Sequence, residues 1–465
     1  MSTHKFYITT PIYYVNDKPH IGHAYTTCAA DILARFSKLN GQDVFFLTGT
    51  DEHGAKIAEA AAKAGLEPQI FCDQMAAVFQ NTWMKLNVQP SYFIRTTDLE
   101  HQDLVVKFLT HLHKQDVLYK KDYSGLYCVG CEKFITEKEL IDGKCPDHKC
   151  VPERVTEKNW FFKLKSFLPQ IEKLIKNNEL VIQPEKAKSE VLGLLRQGLD
   201  DFSISRQKVK WGIPVPWDNT QIIYVWVDAL LNYWTAIQDK KLEGFWPPDV
   251  HLMSHDILKF HAIYWPAMLL AYGFKVEELP NKIFVHGYFT INGQKMSKSL
   301  GNVIDPNDLV KKFGVDATRY LLMSQFPFGN DGDISLSKLT ETYNAALANG
   351  LGNLVARVAK FGIEKQESRI KSQELEEYNC LMSSLKFYEV IRLVLDKVQS
   401  CNNSIEQRKP WAIKEEKARQ KFLEDIVQDI FEIAKMLLPF MPETSEKIAR
   451  VFKTGKSEIL FPRIK

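Results

Sequence analysis

No apolar run in this 465-residue chain approaches the length needed to cross a bilayer. The amino terminus carries neither an apolar signal region nor an Arg/Ser-rich amphipathic presequence. A cytosolic location and no membrane partner are therefore expected. A disulfide framework is missing as well: the eight cysteines are scattered apart from one cluster, a usage that fits reduced thiols with a metal site. Charge of one sign is also missing. With 60 basic and 57 acidic residues the net charge is only +3, so any nucleic-acid contact has to come from local patches and not from a global field. No internal repeat or low-complexity tract stands out. What is present is a normal apolar fraction of 45% in a chain longer than one typical domain, which predicts several packed globular units and not disorder.

The chemistry concentrates in two short segments. In the first, an apolar run at 6–10 passes through a Pro-bearing turn into a helical stretch with Cys28, Ile32, Leu33, Phe36 and Leu39 on one face. His20, Ile21, Gly22 and His23 therefore fall at a helix N-terminus. Unpaired amides and the positive end of the helix dipole are expected there, a place where a triphosphate binds readily. The two imidazoles add donors where charge grows as an α-phosphate is attacked, and Gly22 has no side chain to obstruct a purine. The second segment, Lys295-Met296-Ser297-Lys298-Ser299, lies between Gly293 and Gly301. Two ammonium groups thus ride on a loop able to close over a leaving pyrophosphate.

A third feature is the pattern C-x2-C-x13-C-x2-H formed by Cys128, Cys131, Cys145 and His148, with Gly130 and Gly143 supplying tight turns. Three thiolates and one imidazole complete a tetrahedron with no open position, so one structural zinc is expected. Cys150 remains an alternative fourth ligand. His148 is preferred because it follows Cys145 at the short spacing with which knuckles close.

The periodicity predicts strand, helix, strand at 44–47 and helix at 55–64 stopped by Gly65, as in a doubly wound fold. The rhythm breaks at 123–150, and a helix is predicted at 167–177. A second half of the same sheet then resumes with a strand at 222–227, a helix at 260–272 and a strand at 282–286. Past about residue 335 the pattern is helical, with apolar spacing at 339–358, 381–398 and 422–441. The expected fold class is α/β: a doubly wound parallel, Rossmann-like nucleotide-binding catalytic domain with a zinc-knuckle insertion and a C-terminal α-helical bundle. The expected boundaries are 1–118 and 222–290 for the two catalytic halves, 119–221 for the insertion, 291–340 for the lysine-loop region and 341–465 for the bundle.

Five segments in order carry a resemblance: 9–23 (TTPIYYVNDKPHIGH), 46–54 (FLTGTDEHG), 224–233 (YVWVDALLNY), 260–269 (FHAIYWPAML) and 285–302. They resemble the class I aminoacyl-tRNA synthetases, specifically the methionyl-tRNA synthetases of single-knuckle type, nearly end to end. The resemblance implies a ligase that takes ATP with Mg as substrate and forms an aminoacyl-adenylate. His20, His23, Lys295 and Lys298 would act electrostatically, with Gly22 and Asp256 among the ATP contacts. It implies a methionine pocket of Ile12, Tyr14, Asp51, Trp226, Ala229, Tyr233, Ile257 and His261, in which Asp51 takes the ammonium and the aromatic groups face a polarisable thioether. Leu230 stands where some relatives carry Pro, which leaves the local pocket backbone less constrained.

Family members that activate isoleucine, leucine or valine carry a large hydrolytic insertion, because one methylene gives only about 1–3 kcal/mol of discrimination. The 119–221 insertion leaves no room for it. Homocysteine remains a competitor, and the resemblance implies correction within the synthetic site. In the helical part, Asn353, Arg357 and Trp411 match the anticodon-reading positions, so methionine tRNA is the implied partner; amide, guanidinium and indole groups suit an unpaired base. The chain stops where the bundle ends in relatives, and a monomer is expected. Two rival readings stay open: another nucleotidyl transferase of the same superfold, and a catalytically silent RNA-binding paralogue.

Overall fold

The computed structural model describes residues 4–128, 133–135, 137, 140–146, 149–291, 293–296, 302–363, 372–455 and 458–465. Along the chain run β1 (Lys5–Tyr14), α1 (Ile21–Leu39), β2 (Asp43–Asp51), α2 (Ala55–Ala64), α3 (Pro68–Lys85), β3 (Tyr92–Arg95) and α4 (Leu99–Lys114). The middle of the chain holds β4 (Leu118–Cys128), β5 (Lys133–Ile135), β6 (Glu153–Phe162), α5 (Leu168–Lys176), β7 (Val181–Gln183), α6 (Glu185–Gln197), β8 (Phe202–Ser203), β9 (Ser205–Arg206), β10 (Pro214–Val215), β11 (Asp218–Ile223), α7 (Val225–Leu230) and α8 (Asn232–Thr235). There follow β12 (Val250–Ser254), α9 (Trp265–Tyr272), β13 (Lys282–His286), β14 (Phe289–Ile291), β15 (Gln294–Lys295), α10 (Pro306–Phe313), α11 (Val315–Met323) and β16 (Gly332–Ile334). The C-terminal helices are α12 (Leu336–Thr342), α13 (Asn353–Ala359), α14 (Ser372–Ser383), α15 (Phe387–Arg408), α16 (Glu416–Leu437) and α17 (Pro442–Thr454).

Two compact units emerge. The first comprises residues 1–19, 41–81 and 90–285. Its centre is a six-stranded sheet in the order β3-β2-β1-β12-β13-β7. The pairs β3·β2, β2·β1, β1·β12 and β13·β7 all run parallel. Strand order reverses between β1 and β12, and in doubly wound sheets the crevice at the carboxyl ends of such strands is where ligands bind. Pro11 lacks an amide proton to give to the ladder, and the β1·β2 register shifts between Thr9 and Ile12, so β1 is re-aimed just before its pocket-facing end. The insertion is not wholly separate from this sheet, because Val181–Gln183 is its edge strand. Strand 222–227 is corrected: β11 ends at Ile223 and the chain turns into α7. Its apolar run reflects a helix buried on nearly every side, which periodicity cannot separate from a buried strand.

The second unit comprises residues 20–40, 82–89 and 286–465. It holds α1, the small sheet β15-β14-β16 and the C-terminal helices. Cys28, Ile32, Leu33 and Phe36 are buried on α1 as expected, but Leu39 is 56% exposed because the helix ends there. The 381–398 helix is in fact two, broken after Ser383 where Leu385 takes a left-handed conformation. At the centre of the unit lies a buried guanidinium. Arg319 donates to Asp31 Oδ2 at 2.6 Å, to the carbonyls of Phe440 at 2.9 Å and Pro439 at 3.0 Å, and to that of Leu86 at 3.1 Å. It thereby joins α1, α11, the end of α3 and the α16–α17 turn. Arg319→Leu leaves Asp31 with Arg35 and the Gln89 amide but unpairs the buried carbonyls of Pro439 and Phe440, and should destabilise the protein by about 1–3 kcal/mol. Denaturant unfolding checks this, and an unchanged midpoint contradicts it.

Candidate functional site

In the second unit, His20 is the N-cap of α1, with φ −120° and ψ 174°. Its Nδ1 accepts from the Gly22 amide at 3.0 Å, while His23 Nδ1 accepts from the His20 amide at 3.2 Å. This is a capping box built from two imidazoles in place of Ser and Glu. Their rings stack with centroids 3.8 Å apart. Each Nδ1 is an acceptor here, so the proton of each ring sits on Nε2. The expectation of open amides is corrected: the Gly22 amide is taken by His20 and the Ile21 amide donates to Ile304 O at 3.0 Å.

The Ile304 contact also joins the two chemical segments. A Cβ built on Gly22 would crowd the capping ring, meeting His20 Cε1 at 2.9 Å, and would touch Met296 Cε at an ordinary 3.6 Å, so α1 and the lysine-loop segment approach at this glycine. Lys295 sits on the β14–β15 hairpin, whose turn is held by Asp333: its Oδ1 accepts from the Gly293 amide at 2.5 Å and from Thr290 Oγ1 at 2.9 Å. The Lys295 side chain and Lys298 lie outside the described residues.

In the first unit, the sheet register sets Tyr14 beside Asp51, and Ile12 two residues earlier on the same face. Asp51 is buried. Trp226 on α7 stacks on Phe260 at 4.2 Å and 11°, and Ala229 lies one turn on. Ile12, Tyr14 and Trp226 pack against the cluster that contains Tyr233 and Ile257. His261 Nδ1 donates to Ile257 O at 3.0 Å, so its Nε2 is bare and accepts from Tyr233 Oη at 2.8 Å. Asp256 is exposed and accepts from Ser254 Oγ. Sequence reading missed His251, whose Nδ1 lies 2.6 Å from Thr9 Oγ1 and whose ring stands 4.3 Å from Tyr233, and it missed the pairing of Asp228 with two histidines. Their only signal was a polar residue inside an apolar run.

In the insertion, Cys128 and Cys145 are buried in one cluster with Ile135. Gly143 takes φ +72° in a turn, and Cys128 Sγ lies 3.6 Å from Cys150 Sγ. A separation of this order suits two sulfurs on one zinc, and it involves Cys150, the alternative ligand, but among the described residues no group of three or more His, Cys, Asp or Glu is placed to hold a metal ion. Cys131 and His148 lie outside the described residues.

In the helical region, Arg357 and Trp411 line one cavity with Lys360, Phe361 and Ile405. Arg357 pairs with Glu406 at 2.8 Å. Trp411 is 56% exposed, too much for a core tryptophan, and Asn353 lies exposed one turn before Arg357. Among the described residues no helix is long and apolar enough to cross a membrane.

A family model described as tRNA synthetases class I (M) matches residues 6–154 and 148–359. The chain belongs to that family. Within the class I (M) synthetases it is 40% identical over 99% of its length to the methionine–tRNA ligase of Caldanaerobacter subterraneus subsp. tengcongensis, covering 79% of that protein. It is 41% identical over 96% of its length to that of Thermotoga maritima, covering 75%. Among solved structures of class I (M) synthetases, Mycobacterium tuberculosis methionyl-tRNA synthetase in complex with methionyl-adenylate superposes with a TM-score of 0.90 at 34% identity, over 96% of this chain and 93% of that one.

The buried histidines give the first unit a pH dependence. Burial holds His261 down at about 4 and His251 well below its ordinary value. The unfolded chain, with rings titrating near 6.5, binds more protons between those values, so this stability is present at neutral pH and lost on acidification. The unfolding free energy should fall by up to about 1.4 kcal/mol per pH unit per histidine from about pH 6.5 downward. His261→Gln should shallow that slope, and an acid scan with an unaltered slope contradicts the assignment.

Proposed function

We infer that the chain is a methionine–tRNA ligase: it activates methionine with ATP to methionyl-adenylate and transfers the methionyl group to the 3′ end of methionine tRNA. The observation that carries this reading is the stacked His20–His23 cap joined to the lysine-loop segment through Ile304 and Met296, on a chain about 40% identical to named methionine–tRNA ligases over nearly its whole length.

In the first step a methionine carboxylate oxygen attacks the α-phosphorus of ATP, the bond to the β-phosphate oxygen breaks and magnesium pyrophosphate leaves. The His20 and His23 Nε2–H donors and the Lys295 and Lys298 ammonium groups stabilise charge as it develops on the phosphates, with Gly22 and Asp256 at the nucleotide. No side chain acts as nucleophile. Asp51 holds the substrate ammonium, Ile12, Tyr14, Trp226, Ala229 and Ile257 wall the pocket, and the Tyr233–His261 pair meets the thioether. A neutral imidazole, its proton committed to Ile257 O, suits an uncharged sulfur. In the second step a ribose hydroxyl of the tRNA attacks the acyl carbon and AMP leaves.

Cys128, Cys131, Cys145 and His148 would hold one structural zinc that ties the insertion together, with Cys150 as the alternative to His148. Asn353, Arg357 and Trp411 read the anticodon, with a base stacked on the indole. The reading further includes a monomer working in the cytoplasm.

Three expectations follow from these assignments. Lys298→Ala should lower adenylate formation by roughly two to three decades while methionine affinity changes little; activation at near wild-type rate overturns the lysine-loop role. Metal analysis should find one zinc, lost in Cys145→Ser, whereas zinc lost from Cys150→Ser but kept in His148→Ala moves the fourth ligand. Trp411→Ala should leave methionine activation intact and depress aminoacylation of cognate tRNA by roughly 10-fold to 100-fold, the scale of one lost stack. A fall in melting temperature with no loss of activity per folded molecule contradicts that role.

A further inference from the structure

We propose that Asp228 is a positioning residue for methionine: its carboxylate, clasped between His53 and His101, fixes the helix that carries Trp226 and Ala229 relative to the strand end that carries Asp51. The inference rests on the methionine pocket assigned above and adds to it three residues that touch neither substrate.

Asp228 is buried to 1% exposure, and its two oxygens face different imidazoles: Oδ2 is 2.7 Å from His53 Nδ1 and Oδ1 is 2.9 Å from His101 Nε2. His101, fully buried on α4, is bound on its other side as well, with Nδ1 2.9 Å from Thr235 Oγ1. The Thr235 hydroxyl donates to Leu231 O at 3.0 Å. Toward Asp228, Nε2 donates, because the carboxylate can only accept. Burial alone would raise the Asp228 carboxyl, but the two imidazoles outweigh it and hold it below the usual carboxylate value.

A buried carboxylate clasped in this way contributes little net stability over an apolar replacement, yet displacing either imidazole leaves its charge poorly compensated. It therefore specifies geometry. The elements it joins need that specification. α7 is six residues long and has no side-chain cap, so it has little stability of its own. Trp226 and Ala229, three apart, share one face, and Asp228 anchors the helix from another. On the opposite side, His53 follows Asp51 by two residues in a loop already gripped elsewhere. Trp211 Nε1 donates to Glu52 O at 2.6 Å, the Gly54 amide donates to Trp211 O at 3.1 Å, and Arg95 binds the Glu52 carboxylate through two nitrogens at 2.8 and 2.9 Å. Only the His53–Asp228 contact runs from that stiff loop to the helix that walls the pocket, among the hydrogen bonds described for these residues. A tenth-scale shift there changes the gap between the ammonium-binding carboxylate and the aromatic wall, but not the nucleotide contacts.

The experiment measures methionine Kd, KM for methionine and ATP in pyrophosphate exchange, and the melting temperature of the full chain. Asp228→Asn should weaken methionine binding by about tenfold or more with the ATP KM within about twofold. Unchanged methionine affinity, or both KM values rising with the unfolded fraction, overturns the proposal. A second series decides it even if that variant fails to fold. His53→Ala should weaken methionine binding, and His53→Asn, whose amide nitrogen can replace Nδ1 as donor, should restore most of it. Wild-type affinity in His53→Ala, or no rescue by Asn, overturns it. Asp51→Asn serves as the discriminating control: if it binds methionine as wild type does, the pocket assignment itself fails, whatever Asp228→Asn shows.

Discussion

The start of a helix presents backbone N–H groups that have no partner within the helix, and at α1 the way they are filled governs the rest of the chemistry. The His20 imidazole takes the Gly22 amide, the His23 imidazole takes the His20 amide, and the Ile304 carbonyl from beyond the lysine loop takes the Ile21 amide. The consequence is a change of donor. In the proposed reading an anion meets imidazoles oriented by the backbone they cap, in place of the Gly22 and Ile21 amides. Preorganisation of that kind costs nothing at the moment of reaction, because the rings are already held by the backbone they cap.

A related device recurs in the first unit, where several buried polar side chains are held in hydrogen-bonded pairs and chains. Thr9 with His251, Tyr233 with His261 and Ile257 O, and Asp228 with His53 and His101 each tie a buried side chain to a fixed neighbour. The apolar walls supply area, and these polar chains supply position. A pocket for an unbranched neutral side chain has few polar features of its own to read, so its selectivity has to come from fixed shape.

Much of this was legible in the sequence where local rules govern. β13 falls at 282–286 as the apolar run predicts, α2 stops at Gly65 with φ +69°, and His20 sits at the helix start. The reading failed where tertiary burial erases periodicity. The residues from Val225 are apolar because α7 is enclosed on most sides, and nothing in YVWVDALLNY announces that the strand has ended at Ile223. It also failed where capping depends on rotamer: that His20 would close off the Gly22 amide is a side-chain choice, invisible to spacing. The role of Asp228 required knowing that residues 53, 101 and 228 meet, which follows from how the crossovers of the sheet fold and not from any local pattern. Trp411 lay between these extremes, since its neighbours suggested RNA while its residue type suggested core, and its exposure beside Arg357 removes the second.

The account stands on one claim, that the α1 cap, the lysine loop and the Tyr233–His261 pocket together activate methionine and no other amino acid. Exchange of labelled pyrophosphate into ATP, run on the purified chain with each standard amino acid in turn, tests it most directly. The account predicts exchange with methionine and only background with the rest. Robust exchange driven by a different amino acid, or none with methionine, would contradict it.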